Sequence, residues 1–234
     1  ATYPGKKWQM AHAVGLDAIA SAAAVATDCS LTEFNLTNIP ARLENEQILW
    51  PVASYRAALS TLPNKLKNML IKAWGEPEDD PDVVDNCFRF PAFREGLSLI
   101  ALQPERGRPD IRDEEYHDLG RTPRHSYVAF YLWLQNEDID AVIHMGAHGT
   151  LEWLPGKSVA LSDECWPDAL AGSMPFIYPF IVNDPGEASQ AKRRLSAITL
   201  GHMPPKIQSV DLPKELRDLE FLLDEYSTSG DLDQ

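Results

Sequence analysis

The stretch from residue 124 to residue 202 constrains the fold more than any other. RHSYVAFYLWLQNE reads as a helix with Tyr127, Tyr131 and Leu134 on one face. DAVIHMG then reads as a buried strand, MPFIYPFIVND as a second and ITLGH as a third, with the helix PGEASQAKRRLSA, opening on Pro185, before the last. Strand, helix, strand, helix, strand predicts a parallel sheet with covering helices, because each helix carries the chain back across the sheet. Pro179 cannot donate to a ladder, so its strand is expected to be an edge or irregular. CFRF and LSLIALQ, short apolar runs bounded by Pro and Gly, are expected to be strands of the same core, which runs from about residue 87 to 205. The expected fold class is α/β, a Rossmann-like parallel-sheet core with an N-terminal helical part.

That part begins with an Ala-rich helix at 6–27, followed by an irregular stretch at 28–50. PVASYRAALSTLP and NKLKNMLIKAWG read as helices, with Pro51 near the start of one and Gly75 at the stop of the other. The charged, Pro-containing EPEDDPDVVD marks a candidate boundary near residue 80. The polar stretch at 104–123 reads as a long loop, and LPKELRDLEFLLDEY places leucines at helical spacing. The expected division is a mainly helical packing segment at 1–80, an α/β core at 81–205 and the start of a following helical segment at 206–234. The first residue is Ala and the chain ends in STSGDLDQ, so a fragment of a larger multidomain protein is expected.

Charge narrows the partners. The formal net charge is −14, the wrong sign for wrapping a phosphate backbone, and the AKRR run at 191–194 is too short to reverse it. Nucleic acid is not an expected partner. No stretch is apolar enough to span a bilayer, and ATYPGKKWQM has no apolar core behind its lysines. The three cysteines, Cys29, Cys87 and Cys165, form no CxxC pair, and an odd count argues against a disulfide framework. A reducing cytoplasm is the expected compartment.

HMGAHGTLEWLPGK, residues 144–157, concentrates the chemistry. His144 and His148 stand four apart, but a zinc-protease helix needs Glu directly after the first His, where Met145 stands, and Gly146 interrupts any helix. A better geometry ends the strand at His144, at the sheet edge where ligands of open parallel sheets sit. A short helix from near Gly146, ended after about two turns by Pro155 and Gly156, would set His148 and Glu152 at i,i+4 on one face. Imidazole plus carboxylate suits a borderline divalent metal or proton movement near neutral pH. The bland alternative is a hydrogen-bonded turn, with His144 a satisfied core histidine and Trp153 and Trp166 in the core. In NDPGEASQAKRR, Asn183 or Asp184 caps a helix, Glu187 favours its positive end, and Lys192, Arg193 and Arg194 sit in a solvated last turn. No P-loop, GxGxxG or GxSxG is present, so no ATP binding by this chain is expected.

VIHMGAHGTLEWLPGKSVALSDECWPDAL and PFIYPFIVNDPGEASQAKRRLSAITLGHMPP closely resemble the family of the cobaltochelatase large subunit and its magnesium chelatase counterpart. VGLDAIAS at 14–21, LQPERG at 102–107, YHD at 116–118 and HSYVAFYLWL at 125–134 fit the same family, so the likeness covers nearly the whole chain. LEWLPGK, QPERG and AFYLWL look more like the cobalt enzyme than the magnesium one. ATYP departs slightly, since an Asn often precedes that Tyr-Pro.

The resemblance implies ATP-dependent insertion of Co²⁺, the substrate metal, into hydrogenobyrinate a,c-diamide on the aerobic route to cobalamin. It implies a large subunit that binds tetrapyrrole and metal, with ATP hydrolysed on separate AAA+ ATPase and accessory subunits. Insertion expels two pyrrolic protons, and the metal must leave its protein ligands, so few and exchangeable ligands suit the task. On this resemblance Glu152 and His148 are the catalytic residues, His148 as a metal ligand and Glu152 as a ligand or proton acceptor, with His144 an assisting ligand at the strand end. Trp153, His125 and Glu187 are expected against the tetrapyrrole, with Asp163 and His202 as further candidates near the same edge. Two alternatives stay open: a magnesium chelatase large subunit (the H type) inserting Mg²⁺ into protoporphyrin IX, and a non-catalytic tetrapyrrole or metal carrier on the same fold.

Overall fold

The computed structural model describes residues 39–95, 98–108, 118–137, 139–145, 149–179, 185–201, 217–219 and 221–223. The expected helix at 6–27, His148 and His202 lie outside these residues. The chain divides into two compact units, Ala1–His202 and Met203–Gln234. In the second, residues 217–219 and 221–223 are helical, within the stretch expected to form a helix.

The described residues of the first unit form two small sheets. In the antiparallel one, β1 (Gln47–Pro51) and β2 (Val83–Val84) flank β3 (Cys87–Glu95), with Trp50 and Val83 both opposite Phe88. The second half of β3 pairs with β4 (Ser98–Ala101). The parallel sheet has three strands in the order β5 (Val142–Ile143), β6 (Phe176–Pro179) and β7 (Ile198–Leu200).

The fold is therefore mixed α/β, and the expectation of one parallel core beginning at CFRF is corrected. Glu95 and Ser98 are partners with two residues between them, and so short a connection can join only antiparallel neighbours. QILW, expected to be irregular, forms strand β1 together with Pro51. Only Trp50 of its five residues is buried, too brief an alternation to stand out in the sequence. β6 is central rather than an edge, and it tolerates Pro179 as its last residue.

Among the described residues six α-helices accompany these sheets: α1 (Ile39–Asn45), α2 (Val52–Ser60), α3 (Asn64–Trp74), α4 (His125–Asn136), α5 (Trp166–Ala171) and α6 (Pro185–Leu195). Gly75 ends α3 at φ +77, where a side chain would be strained. In α4 every residue from His125 to Leu134 is buried, as befits a helix apolar on all sides. Phe130 and Trp133 pack on Phe90 of β3, with ring centroids 5.5 and 5.0 Å away, while Tyr131 lies 6.3 Å from Phe176 of β6. One aromatic core thus serves both sheets, and each buried ring contributes about 1.5–3 kcal/mol.

The N-terminus of α4 has no cap of its own and borrows one. Asp80 Oδ2 accepts the Ser126 N–H at 3.0 Å, and Oδ1 accepts Arg124 Nη2 at 2.6 Å. A carboxylate at the positive end of a helix satisfies donors that the helix itself leaves open. Among the described residues no helix is long and apolar enough to cross a membrane.

Candidate active site

HMGAHGTLEWLPGK leaves the parallel sheet at its C-terminal edge. His144 directly follows β5, and its N–H donates to the Ile177 carbonyl at 2.8 Å. Ile143 lies opposite Ile177, so the next residues of the two strands, His144 and Tyr178, become neighbours on one face. Their rings stack, with centroids 4.8 Å apart and planes 2° from parallel, and both are buried.

Glu152 has 0% exposure. Its Oε1 accepts the Gly149 N–H at 3.1 Å, and its Oε2 accepts the Tyr178 O–H at 3.0 Å. Burial, and then the charge of Glu152, push the Tyr178 phenol well above its ordinary range, so it remains a neutral donor near pH 7. Gly149 is required by close approach: a Cβ there would sit 2.7 Å from both Glu152 Oε2 and the Tyr178 hydroxyl.

The expected two-turn helix from Gly146 is corrected. The described helical part is one 3₁₀ turn, Leu151–Trp153, in which Trp153 N–H bonds the Thr150 carbonyl at 3.1 Å and Leu154 N–H that of Leu151 at 3.2 Å. Thr150 at φ −121, ψ −15 is not helical, and the Gly149 N–H is taken by the Glu152 side chain. Glu152 is therefore delivered by a tight turn held from outside.

Of the other expected residues, Trp153 and Glu187 meet. The indole N–H donates to Glu187 Oε2 at 2.6 Å, linking the half-buried Trp153 to the first turn of α6. His125 is elsewhere and engaged. Its Nε2 faces the Gly75 carbonyl at 3.0 Å and so carries the proton, while Nδ1 accepts the Tyr55 O–H at 2.7 Å. Burial depresses its pKa, and both ring nitrogens are occupied by protein atoms. Asp163 is exposed on a turn. Among the described residues, which exclude His148, no three His, Cys, Asp or Glu side chains converge as a metal site.

Several residues that lie in the motif stretches, but to which the sequence alone assigns no role in the site, support the turn. Thr150 Oγ1 bonds the Tyr127 hydroxyl at 2.7 Å and accepts Gln103 Nε2 at 2.5 Å, while Gln103 Oε1 accepts the Tyr131 O–H at 2.8 Å. Gln103 and Arg106 come from LQPERG, so that stretch braces the turn. Arg194, expected in solvent, is buried, whereas Lys192 and Arg193 are exposed. The sequence signal for this is the spacing of Glu187, Ala191 and Arg194, which all lie on the buried face of α6. Beneath the turn, Cys165 Sγ accepts the Lys157 N–H at 3.4 Å. Burial pushes this thiol up, but the Lys157 and Ser162 hydrogen bonds outweigh it and leave the pKa below the ordinary value.

A family model described as CobN/Magnesium Chelatase matches residues 1–234. The chain is 38% identical to the aerobic cobaltochelatase subunit CobN of Pseudomonas aeruginosa, over 100% of this chain and 20% of that protein. It is 41% identical to the H-type magnesium-chelatase subunit of Chlorobaculum parvum, over 57% of this chain and 11% of that one. The solved catalytic subunit of cobaltochelatase from Mycobacterium tuberculosis superposes with a TM-score of 0.64 at 37% identity, covering 83% of this chain and 18% of that one. The chain thus spans about a fifth of the length of such relatives. With the family model matched from end to end, and with LQPERG, HGTLEWLPGK and the α6 stretch converging on one buried turn, the chain belongs to the CobN/magnesium chelatase family.

Proposed function

We propose that this chain is part of the tetrapyrrole- and metal-binding large subunit of an ATP-dependent cobaltochelatase. The complete protein inserts Co²⁺ into hydrogenobyrinate a,c-diamide in aerobic cobalamin synthesis, in the cytoplasm, with ATP hydrolysed on AAA+ partner subunits. The observation that carries this reading is Glu152, a buried carboxylate at the C-terminal edge of parallel strands, oriented by the Gly149 N–H and the Tyr178 O–H. Such a group can ligate a divalent ion and can take a proton. Replacing two pyrrolic protons by one Co²⁺ releases two H⁺; Glu152 accepts one of them and the other passes to solvent. His148 and His144 supply imidazole ligands that exchange readily, so the metal can be handed on. The half-buried Trp153, tied to Glu187, offers an indole edge to the tetrapyrrole.

Cobalt is favoured over magnesium because the likeness to cobaltochelatase subunits extends over 97–100% of the chain, whereas that to magnesium-chelatase subunits covers 56–70% of it. The test is single-turnover insertion by the complete subunit with its ATPase partners, offered Co²⁺ or Mg²⁺. Glu152→Gln and His148→Ala should each lower cobalt insertion by roughly 10²–10⁴-fold, with tetrapyrrole binding retained. Near-wild-type insertion by both variants refutes the reading.

A further inference from the structure

Two consecutive peptide carbonyls of the 3₁₀ turn are each held by a buried arginine from a different part of the chain. Arg194, from the last turn of α6, donates through Nη1 to the Glu152 carbonyl at 2.5 Å and through Nε to the Lys157 carbonyl at 3.3 Å. Arg106, from LQPERG, donates through Nη1 to the Trp153 carbonyl at 3.1 Å and through Nη2 to the Asp118 carbonyl. Each arginine is 5% exposed. These contacts reach the turn at its C-terminal side, where carbonyls point outward without helical partners and cations are favoured.

From this we infer that Arg106 and Arg194 are positioning residues for metal insertion, which grip the carbonyls of Glu152 and Trp153 and so fix where the Glu152 carboxylate stands. The inference rests on the function proposed above. The turn is one residue triplet long and has no side-chain cap of its own, so its orientation must come from outside. A planar guanidinium with fixed donors sets a direction as well as a distance, and Arg194 bridges both ends of the segment from Glu152 to Lys157. Lysine retains the charge but has a single nitrogen on a flexible stem, so it cannot reproduce that bridge. Burying a guanidinium against carbonyls is costly, and burial accordingly lowers the Arg194 pKa. An exposed lysine would serve better if solubility were the only requirement.

The experiment uses the complete large subunit with its ATPase partners. Arg194→Lys, Arg194→Met, Arg106→Lys and Glu152→Gln are compared by steady-state cobalt insertion, with rates normalised to the folded fraction from circular dichroism. Misplacing a reacting group by about 1 Å can cost about 100-fold, so kcat should fall ~10–100-fold in Arg194→Met and Arg106→Lys, and by less in Arg194→Lys. The tetrapyrrole KM should stay within about twofold of wild type, the split expected of residues that act only through Glu152. If Arg194→Met does not fold, the two lysine variants decide. Wild-type kcat in both lysine variants, with Glu152→Gln inactive, overturns the arginine assignment and leaves the proposed function standing. Wild-type insertion by Glu152→Gln overturns the arginine assignment, and wild-type insertion by His148→Ala as well overturns the proposed function with it.

Discussion

The Tyr178 hydroxyl donates a 3.0 Å hydrogen bond to the Glu152 carboxylate, and neither side chain reaches solvent. The central strand of the parallel sheet thereby orients a carboxylate that belongs to the loop leaving its neighbour. Tyr178→Phe should remove this donor from Oε2. A hydrogen bond to a charged group contributes about 1.5–3 kcal/mol, so urea unfolding should show a loss of that size. Cobalt insertion by the complete protein should fall as well, because the carboxylate gains freedom. An unchanged unfolding midpoint and rate would show that the pair does not matter.

Gly149→Ala should be worse than its size suggests. The added methyl would stand 2.7 Å from both oxygens of that pair, and the atoms it meets are themselves packed. Overpacking a tight site costs about 1–3 kcal/mol, and here the Glu152–Tyr178 bond is what must yield. Thermal melts and insertion rates of Gly149→Ala beside Tyr178→Phe check this. The double variant should lose less than the sum of the singles, since both break the same bond.

Asp80→Ala should destabilise the protein by about 3–5 kcal/mol, because it leaves the buried Arg124 guanidinium without its closest carboxylate and uncaps α4. Asp82, at 2.8 Å from Arg124, remains but is more exposed. Equilibrium denaturation measures the loss, and a change below about 1 kcal/mol would contradict the assignment.

His125 predicts an acid-sensitive fold. Its pKa is lowered by burial, so the folded protein holds the ring neutral where the unfolded chain would protonate it. This contribution is fully present above the ordinary histidine value of 6.5, and it is lost as pH falls from there through the depressed value. The melting temperature should therefore drop between about pH 7 and pH 5, and less so in His125→Gln. Equal drops in both proteins would place the acid sensitivity elsewhere.

Much of the helical frame is legible in the sequence because its punctuation is local. Pro185 opens α6 and Gly75 closes α3, as a proline at a helix start and a glycine at a helix stop should. The three parallel strands are also readable as apolar runs. Register is not readable, and it is register that makes Tyr178 a neighbour of His144 and so brings it to Glu152. The same limit hides β1, whose strand character comes from its pairing with β3 rather than from its own five residues. Glu152 stands out in the sequence as a candidate, but its local conformation does not, since spacing alone cannot distinguish an α-turn from a 3₁₀ turn pinned by distant arginines. Arg194 looks solvated because its neighbours Lys192 and Arg193 are; only its place on the Glu187–Ala191 face distinguishes it.

The aromatic helix α4 also limits how the molecule can be dissected. Phe130 and Trp133 rest on β3, Tyr131 faces β6, and Gln103, just past β4, bonds Thr150 beside Glu152. A protein engineer who excised residues 125–201 as a minimal module around Glu152 would strip α4 of its packing on Phe90 and remove Gln103 and Arg106 from the turn. Such a peptide would keep the HGTLEWLPGK letters and lose the posture of their carboxylate, so grafting this chemistry onto another scaffold means transplanting the antiparallel half with it.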